Sequence, residues 1–223
     1  MSYRSFITIV ITAAALTSCT LTRSYHCDSY VQQYYNMEGL SLSLDHEQDS
    51  VWVNLNGAEV SFAGSFISKG EEKQVYDRLC EKNNDLGFDR EVVVIDDKFV
   101  TGYSFNINSI SITSDKDWDE AHPAGSSLAD VFVVKFRSAE KYINSSYSGD
   151  IPVYMDLIQS CPLSELESGI KTPLEYTGLI AGQRVYCRLG VSDRLETANA
   201  DHMLRVKLSL DNGQSYTSCI VLK

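Results

Sequence analysis

Basic residues are scarce and nowhere clustered. The 223 residues carry 19 Lys plus Arg against 30 Asp plus Glu, a formal net charge of −11. A nucleic-acid partner needs clustered cations to displace counterions from phosphates, so that class is excluded. An unaided electrostatic grip on anionic lipid is disfavoured for the same reason. Proline is rare, at 4 residues, and no Pro/Ser-rich linker divides the chain. No apolar run reaches the roughly 20 residues that span a bilayer. There is no C-x-x-C pair and no H-E-x-x-H, which removes the commonest zinc arrangements. Gly125-Ser126-Ser127 lacks the second glycine of a nucleophile elbow. No cofactor is expected, and no catalytic residue is nominated.

What is present begins at the N-terminus. Arg4 precedes an eleven-residue apolar run, Phe6 to Leu16, broken only by two threonines, and small residues then lead to Cys19. This is the basic, apolar, small-residue order of a secretory signal. Its last four residues, Leu16-Thr17-Ser18-Cys19, resemble a bacterial lipoprotein lipobox. The resemblance implies cleavage before Cys19, acylation of its thiol by palmitate-type chains, and a membrane attachment made by that acyl anchor. Residues 1–18 then form a signal peptide, 19–36 a lipidated tether and lead-in, and 37–223 a single β-rich domain. Loss of Arg4 takes the formal net charge from −11 to −12.

Acylation of Cys19 would also change the thiol count. Five cysteines would remain, Cys27, Cys80, Cys161, Cys187 and Cys219, and an odd number leaves at least one thiol free or in an intermolecular bond. An exported protein meets an oxidising compartment. Zero, one or two bridges are all compatible with the spacing.

Periodicity describes a mostly β chain. Tyr30, Val31, Tyr34 and Tyr35 recur at helical spacing, which predicts a brief helix. Leu40, Leu42 and Leu44 alternate as a half-buried strand, Val51 to Leu55 continues the theme, and Asn56-Gly57 reads as a turn. Glu71 to Asn83 carries one apolar stripe, Val75, Tyr76, Leu79 and Cys80, and predicts a helix. Strands follow over 91–95 and 104–113. The latter changes apolar parity, which a bulge or a change of buried face near Asn108 would reconcile. Residues 128–136 predict a central strand, 139–144 a helical turn, 151–158 a strand and 162–168 a short helical connection. At the C-terminus Leu204, Val206, Leu208 and Leu210 alternate up to Asn212-Gly213. A two-residue type I′ loop there pairs Leu210 with Ser215 and Val206 with Cys219, placing Cys219 on the core face. Cys187 shares parity with Val185 and Leu189, so Cys187–Cys219 is the disulfide candidate, in competition with two separate buried thiols. The fold class is mainly β, an antiparallel β-sandwich, immunoglobulin-like or related, with one or two short helical insertions.

One acidic turn stands out, Ser114-Asp115-Lys116-Asp117-Trp118-Asp119-Glu120-Ala121-His122-Pro123. Asp115, Asp117 and Asp119 alternate as in the opening of a calcium loop, but Glu120 replaces its central glycine and Ser126 its closing acid. A looser Ca²⁺ site competes with a solvated turn. Trp118 and His122 are candidates to face a ligand. The tyrosine-rich opening, this turn with its His-Pro-Ala-Gly-Ser-Ser-Leu continuation, and the lipobox together resemble Bacteroidetes envelope lipoproteins of unassigned function. That resemblance implies a place, the bacterial outer membrane on either of its sides, and no activity. The expected role is non-covalent binding or envelope assembly, with a glycan or an envelope protein as partner. The alternative is an envelope hydrolase acting on glycan or peptide substrates. That would require paired carboxylates in a pocket or a Ser/Cys–His contact.

Overall fold

The computed structural model describes residues 22–45, 50–62, 69–95, 99–152, 156–174, 187–191 and 201–222. Cys19 and the signal-like segment lie outside the described residues. The fold is mainly β and sandwich-like, with two α-helices. Eleven strands are named in chain order: β1 (Thr22–Cys27), β2 (Gln33–Asp45), β3 (Ser50–Phe62), β4 (Arg90–Ile95), β5 (Thr101–Tyr103), β6 (Ile107–Ser114), β7 (Phe132–Arg137), β8 (Ile158–Pro162), β9 (Cys187–Val191), β10 (Met203–Leu210) and β11 (Ser215–Val221). The helices are α1 (Glu71–Lys82) and α2 (Glu140–Asn144).

A six-stranded sheet runs in the order β5-β2-β3-β9-β7-β8, and a three-stranded sheet in the order β11-β10-β6. All pairs are antiparallel except β2 with β5. One core lies between them. Val51, Val53 and Leu55 of β3 and Phe132 and Val134 of β7 join Ile110 and Ile112 of β6 and Leu204, Val206, Leu208 and Leu210 of β10. A second cluster gathers Tyr30, Val31 and Tyr34 with Tyr76, Leu79 and Cys80 of α1 and Tyr142 and Ile143 of α2. The β1–β4 ribbon packs there through Tyr25 and Val92.

The α1 stripe lies where the periodicity predicts, with Tyr76, Leu79 and Cys80 buried. Glu71 and Glu72 open the helix and Lys82 closes it, each sign complementing the helix dipole. Its end is a Schellman motif. The amide of Asn84 donates to the Glu81 carbonyl and that of Asp85 to the Cys80 carbonyl, with Asn84 at φ 54°. The bulge near Asn108 is also present. Ile107 pairs with Leu210 while Ser109 pairs with Ser209, so β6 buries Ile107 and Ile110 on either side of an exposed Asn108-Ser109 step.

Four readings are corrected. The predicted helix over 30–35 is a buried connector entering β2. Tyr30 to Tyr34 are buried at every position rather than on one face, and their backbone partners come from outside. Asp85 accepts the amides of Tyr30 and Val31, and the Gln32 amide donates to the Val100 carbonyl. Within the stretch 19–36, expected as tether and lead-in, β1 already begins at Thr22. Asn56-Gly57 is strand interior, since β2 and β3 pair along both their lengths and Gly57 sits opposite Met37 beside a bulge at Glu38. The C-terminal hairpin has a three-residue loop, with Ser209 opposite Ser215 and Gly213 at φ 85°. That one-residue slip turns β11 over. Tyr216 and Ile220 now pack on the core, and Cys219 is an exposed free thiol opposite Arg205.

Candidate functional site

The acidic turn folds as a self-satisfied loop. Asp115 accepts the Met203 amide at 2.7 Å, Asp117 the Ala124 amide at 2.7 Å, and Asp119 the amides of Ala121 and His122 at 2.8 and 2.9 Å. Each calcium candidate thus spends an oxygen on a different backbone segment, and the three do not converge on a common point. Trp118 is buried against Phe132 and His202 rather than facing a ligand. His122 is 14% exposed at the side chain, its Nδ1 2.7 Å from Asp119 and its Nε2 3.1 Å from Asp130. These bonds to Asp119 and Asp130 raise the His122 pKa above the ordinary 6.5, and the bond to His122 lowers both carboxyls below 3.8. A raised imidazole contributes fully below pH 6.5 and loses its contribution as pH rises through the raised value. Lowered carboxyls contribute fully above pH 3.8 and lose theirs as pH falls through the lowered values. The clamp is therefore complete between those ordinary values. Amide protection at Ala121, His122 and Ala124 is expected to be greater near pH 5 than near pH 9. His122→Ala should remove that difference; protection factors independent of pH in the parent chain would contradict the clamp.

A Ser–His contact does exist among the described residues, and it is sealed. Ser114 Oγ lies 3.1 Å from His202 Nδ1, and both residues are buried, with Trp118 packed edge-on to the His202 ring. No substrate reaches it. The thiols of Cys27 and Cys80 are buried too, and desolvation pushes each pKa up to about 11, which leaves them protonated and unreactive near neutral pH. Cys187 belongs to β9 of the six-stranded sheet and Cys219 to β11 of the other, so the proposed disulfide partners sit in different sheets. The side chain of Cys187 lies outside the described residues.

A second polar group joins His26, Asp28 and Asp89, whose ligand atoms lie within 4.8 Å of one another. All three are exposed, and Asp89 already takes His26 Nε2 at 2.8 Å, with Glu91 3.6 Å from Nδ1. This is an exposed polar cluster in which the His26 ring already contacts two carboxylates.

The outward face of β6–β10–β11 is different in kind. Burial of Ile110, Ile112, Leu204, Val206 and Leu208 sends the alternate residues to solvent, and pairing arranges these in three rows. Ser109, Ser209 and Ser215 form one row; Ser111, Lys207 and Thr217 the next; Thr113, Arg205 and Cys219 the third. Strand spacing makes this grid about 13 by 10 Å. It holds six hydroxyls, two cations and a thiol, with no carboxylate. Among the described residues neither the Arg205 nor the Lys207 side chain has an ion pair or hydrogen bond. The lower two rows line an open groove of about 630 Å³, whose end wall is Gly125 of the acidic loop. The Gly125 amide fixes that wall by donating to the Ser114 carbonyl at 2.8 Å. Sequence parity had assigned β11 the opposite face, which hid this surface. Its only visible trace was the pairing of Arg205 and Lys207 on one side of β10.

Among the described residues no helix is long and apolar enough to cross a membrane. Compared with known proteins, the chain matches no family model, no curated protein and no solved structure.

Proposed function

We propose that this protein is a lipid-anchored cell-envelope protein, held by acyl chains on Cys19, that works by non-covalent binding through the outward face of β6–β10–β11. The observation that supports a binding role is the composition of that face. Hydroxyls and cations offer hydrogen bonds and charge, and none of the nine positions of the grid supplies an imidazole or carboxylate to act as a base. The hydrolase alternative draws nothing from Ser114 and His202, whose contact is closed to solvent. The anchor reading rests on the lipobox-like Leu16-Thr17-Ser18-Cys19. An outer-membrane address goes with it, as does a glycan or envelope protein as partner. With β1 starting at Thr22, only Thr20 and Leu21 separate the anchor from the folded chain. Those two residues span at most about 7 Å, which would keep the β1–β4 ribbon against the bilayer.

Metabolic labelling with palmitate tests the anchor. The parent chain should incorporate label, and a Cys19→Ser chain should not. Absence of label in the parent, or equal label in both, would overturn the lipoprotein reading.

A further inference from the structure

We propose that the groove on β6–β10–β11 is a site for an oxyanion-bearing glycan, with sulfate or carboxylate groups held by Arg205 and Lys207. The inference rests on the binding reading above and gives the ligand a chemistry. In a chain with 30 acidic and 19 basic residues, two adjacent cations with no acidic partner among the described residues stand against the general charge balance. Lys207 lies between Ser111 and Thr217, and Arg205 between Thr113 and Cys219. Each cation is therefore flanked on the neighbouring strands by groups that can donate to an oxyanion or exchange hydrogen bonds with sugar hydroxyls.

The spacing also matters. Residues i and i+2 of one strand are about 6.8 Å apart, so Arg205 and Lys207 can grip two successive anionic groups or converge on one. Arginine supplies the planar fork that binds a carboxylate or sulfate through two parallel bonds, and lysine supplies a point charge beside it. The serine row of Ser109, Ser209 and Ser215 extends the polar track past Lys207. At the other end the wall at Gly125 belongs to the acidic loop. The carboxylates of Asp117 and Asp119 there are turned onto the Ala124, Ala121 and His122 amides. A polyanion is thus directed along the track toward the serines and away from the loop.

A lipid headgroup is the less suitable source of the anion. The nine positions carry no aromatic or aliphatic side chain to enter a bilayer, and interfacial binding needs buried apolar area as well as charge.

The test uses the full-length chain and four probes at low salt: dextran sulfate, polygalacturonate, neutral dextran, and vesicles of phosphatidylglycerol with phosphatidylcholine. Binding to dextran sulfate or polygalacturonate is expected, weakening as salt is added, with no binding to neutral dextran. Arg205→Gln with Lys207→Gln should weaken it at least about tenfold, the scale of lost charge-assisted contacts. Lys73→Gln with Arg78→Gln, which removes the same charge from α1, should leave it unchanged. Unchanged binding by the groove variant, equal loss in the α1 variant, equal binding to neutral dextran, no binding to either polyanion, or binding to vesicles alone would each overturn the proposal. Palmitate labelling is a separate readout, so the anchor and the groove can fail independently.

Discussion

Replacing Asp85 with alanine is expected to lower the unfolding free energy by about 3–5 kcal/mol, a large part of the roughly 5–15 kcal/mol that holds a domain together. Asp85 is fully buried. Its Oδ1 accepts the Tyr30 amide at 2.9 Å and the Tyr147 hydroxyl at 2.9 Å, and its Oδ2 accepts the Val31 amide at 2.8 Å. Burial raises the carboxyl above its ordinary range, while the Val31, Tyr30 and Tyr147 donors pull the other way. Alanine would strand all three donors, and each unsatisfied buried group costs about 1–3 kcal/mol. The site also joins three distant pieces of chain: the connector into β2, the Schellman turn after α1, and the turn after α2. Tyr147→Phe removes one donor together with its need for an acceptor, and should cost only about 1 kcal/mol. Chemical denaturation of the two variants separates these expectations. An Asp85→Ala chain within about 0.5 kcal/mol of the parent would show that the hub is dispensable.

The hub illustrates what a single sequence conveys. Helix α1 was legible because its apolar residues recur at helical spacing on a charged background, and a local rule suffices for that. The helix ends where Asn84 takes the left-handed conformation that asparagine tolerates. That the next residue would enter the core and serve two amides 54 and 55 residues away is non-local, and no periodicity encodes it. The tyrosines at 30, 34 and 35 misled for the same reason. Their spacing matched a helix, while the Tyr30 amide is satisfied by Asp85 and Tyr34 and Tyr35 pair with β3 and β5. The parity change in β6 was readable as a bulge because both of its halves must face one core.

The site was harder to read than the fold. Asp115, Asp117, Asp119, Trp118 and His122 drew notice by residue type. In the fold they serve the loop and its neighbours, and Gly125, just beyond them, lines the groove. The surface that matters depended on a register. A two-residue loop at Asn212-Gly213 would have put Thr217 and Cys219 in the core, whereas the three-residue loop puts them beside Lys207 and Arg205. Both arrangements give an alternating β10. They differ in β11, where Tyr216 and Ile220 bury more apolar surface than Thr217 and Cys219 would. Comparing the two faces of β11 for apolar content was the signal that could have decided the loop length.

Gly57→Ala carries the second large expected effect, about 2–3 kcal/mol of destabilisation. The pair Asn56-Gly57 carries the usual signature of a hairpin turn, but here glycine answers a different need. Gly57 lies opposite Met37, next to the step at which Glu38 is left over and Gly39 pairs with Asn56. The bulge brings the Asn36 carbonyl onto the position a Cβ would occupy, and the Tyr103 ring lies 3.4 Å from that same position. The Tyr103 hydroxyl donates to the Leu55 carbonyl at 3.0 Å, so the ring cannot withdraw without losing a buried bond. An added methyl must therefore push β2 and β3 apart at the bulge. The better strand propensity of alanine, below 1 kcal/mol, offsets only part of that. Asn56→Ala, its exposed neighbour, should change stability by less than about 0.5 kcal/mol if the pair is strand interior. In a real turn the order would reverse, with Asn56 needed for its positive φ and Gly57 free of any close neighbour. Denaturation midpoints of the two single variants distinguish these cases, and a Gly57→Ala chain as stable as the parent would refute the close approach.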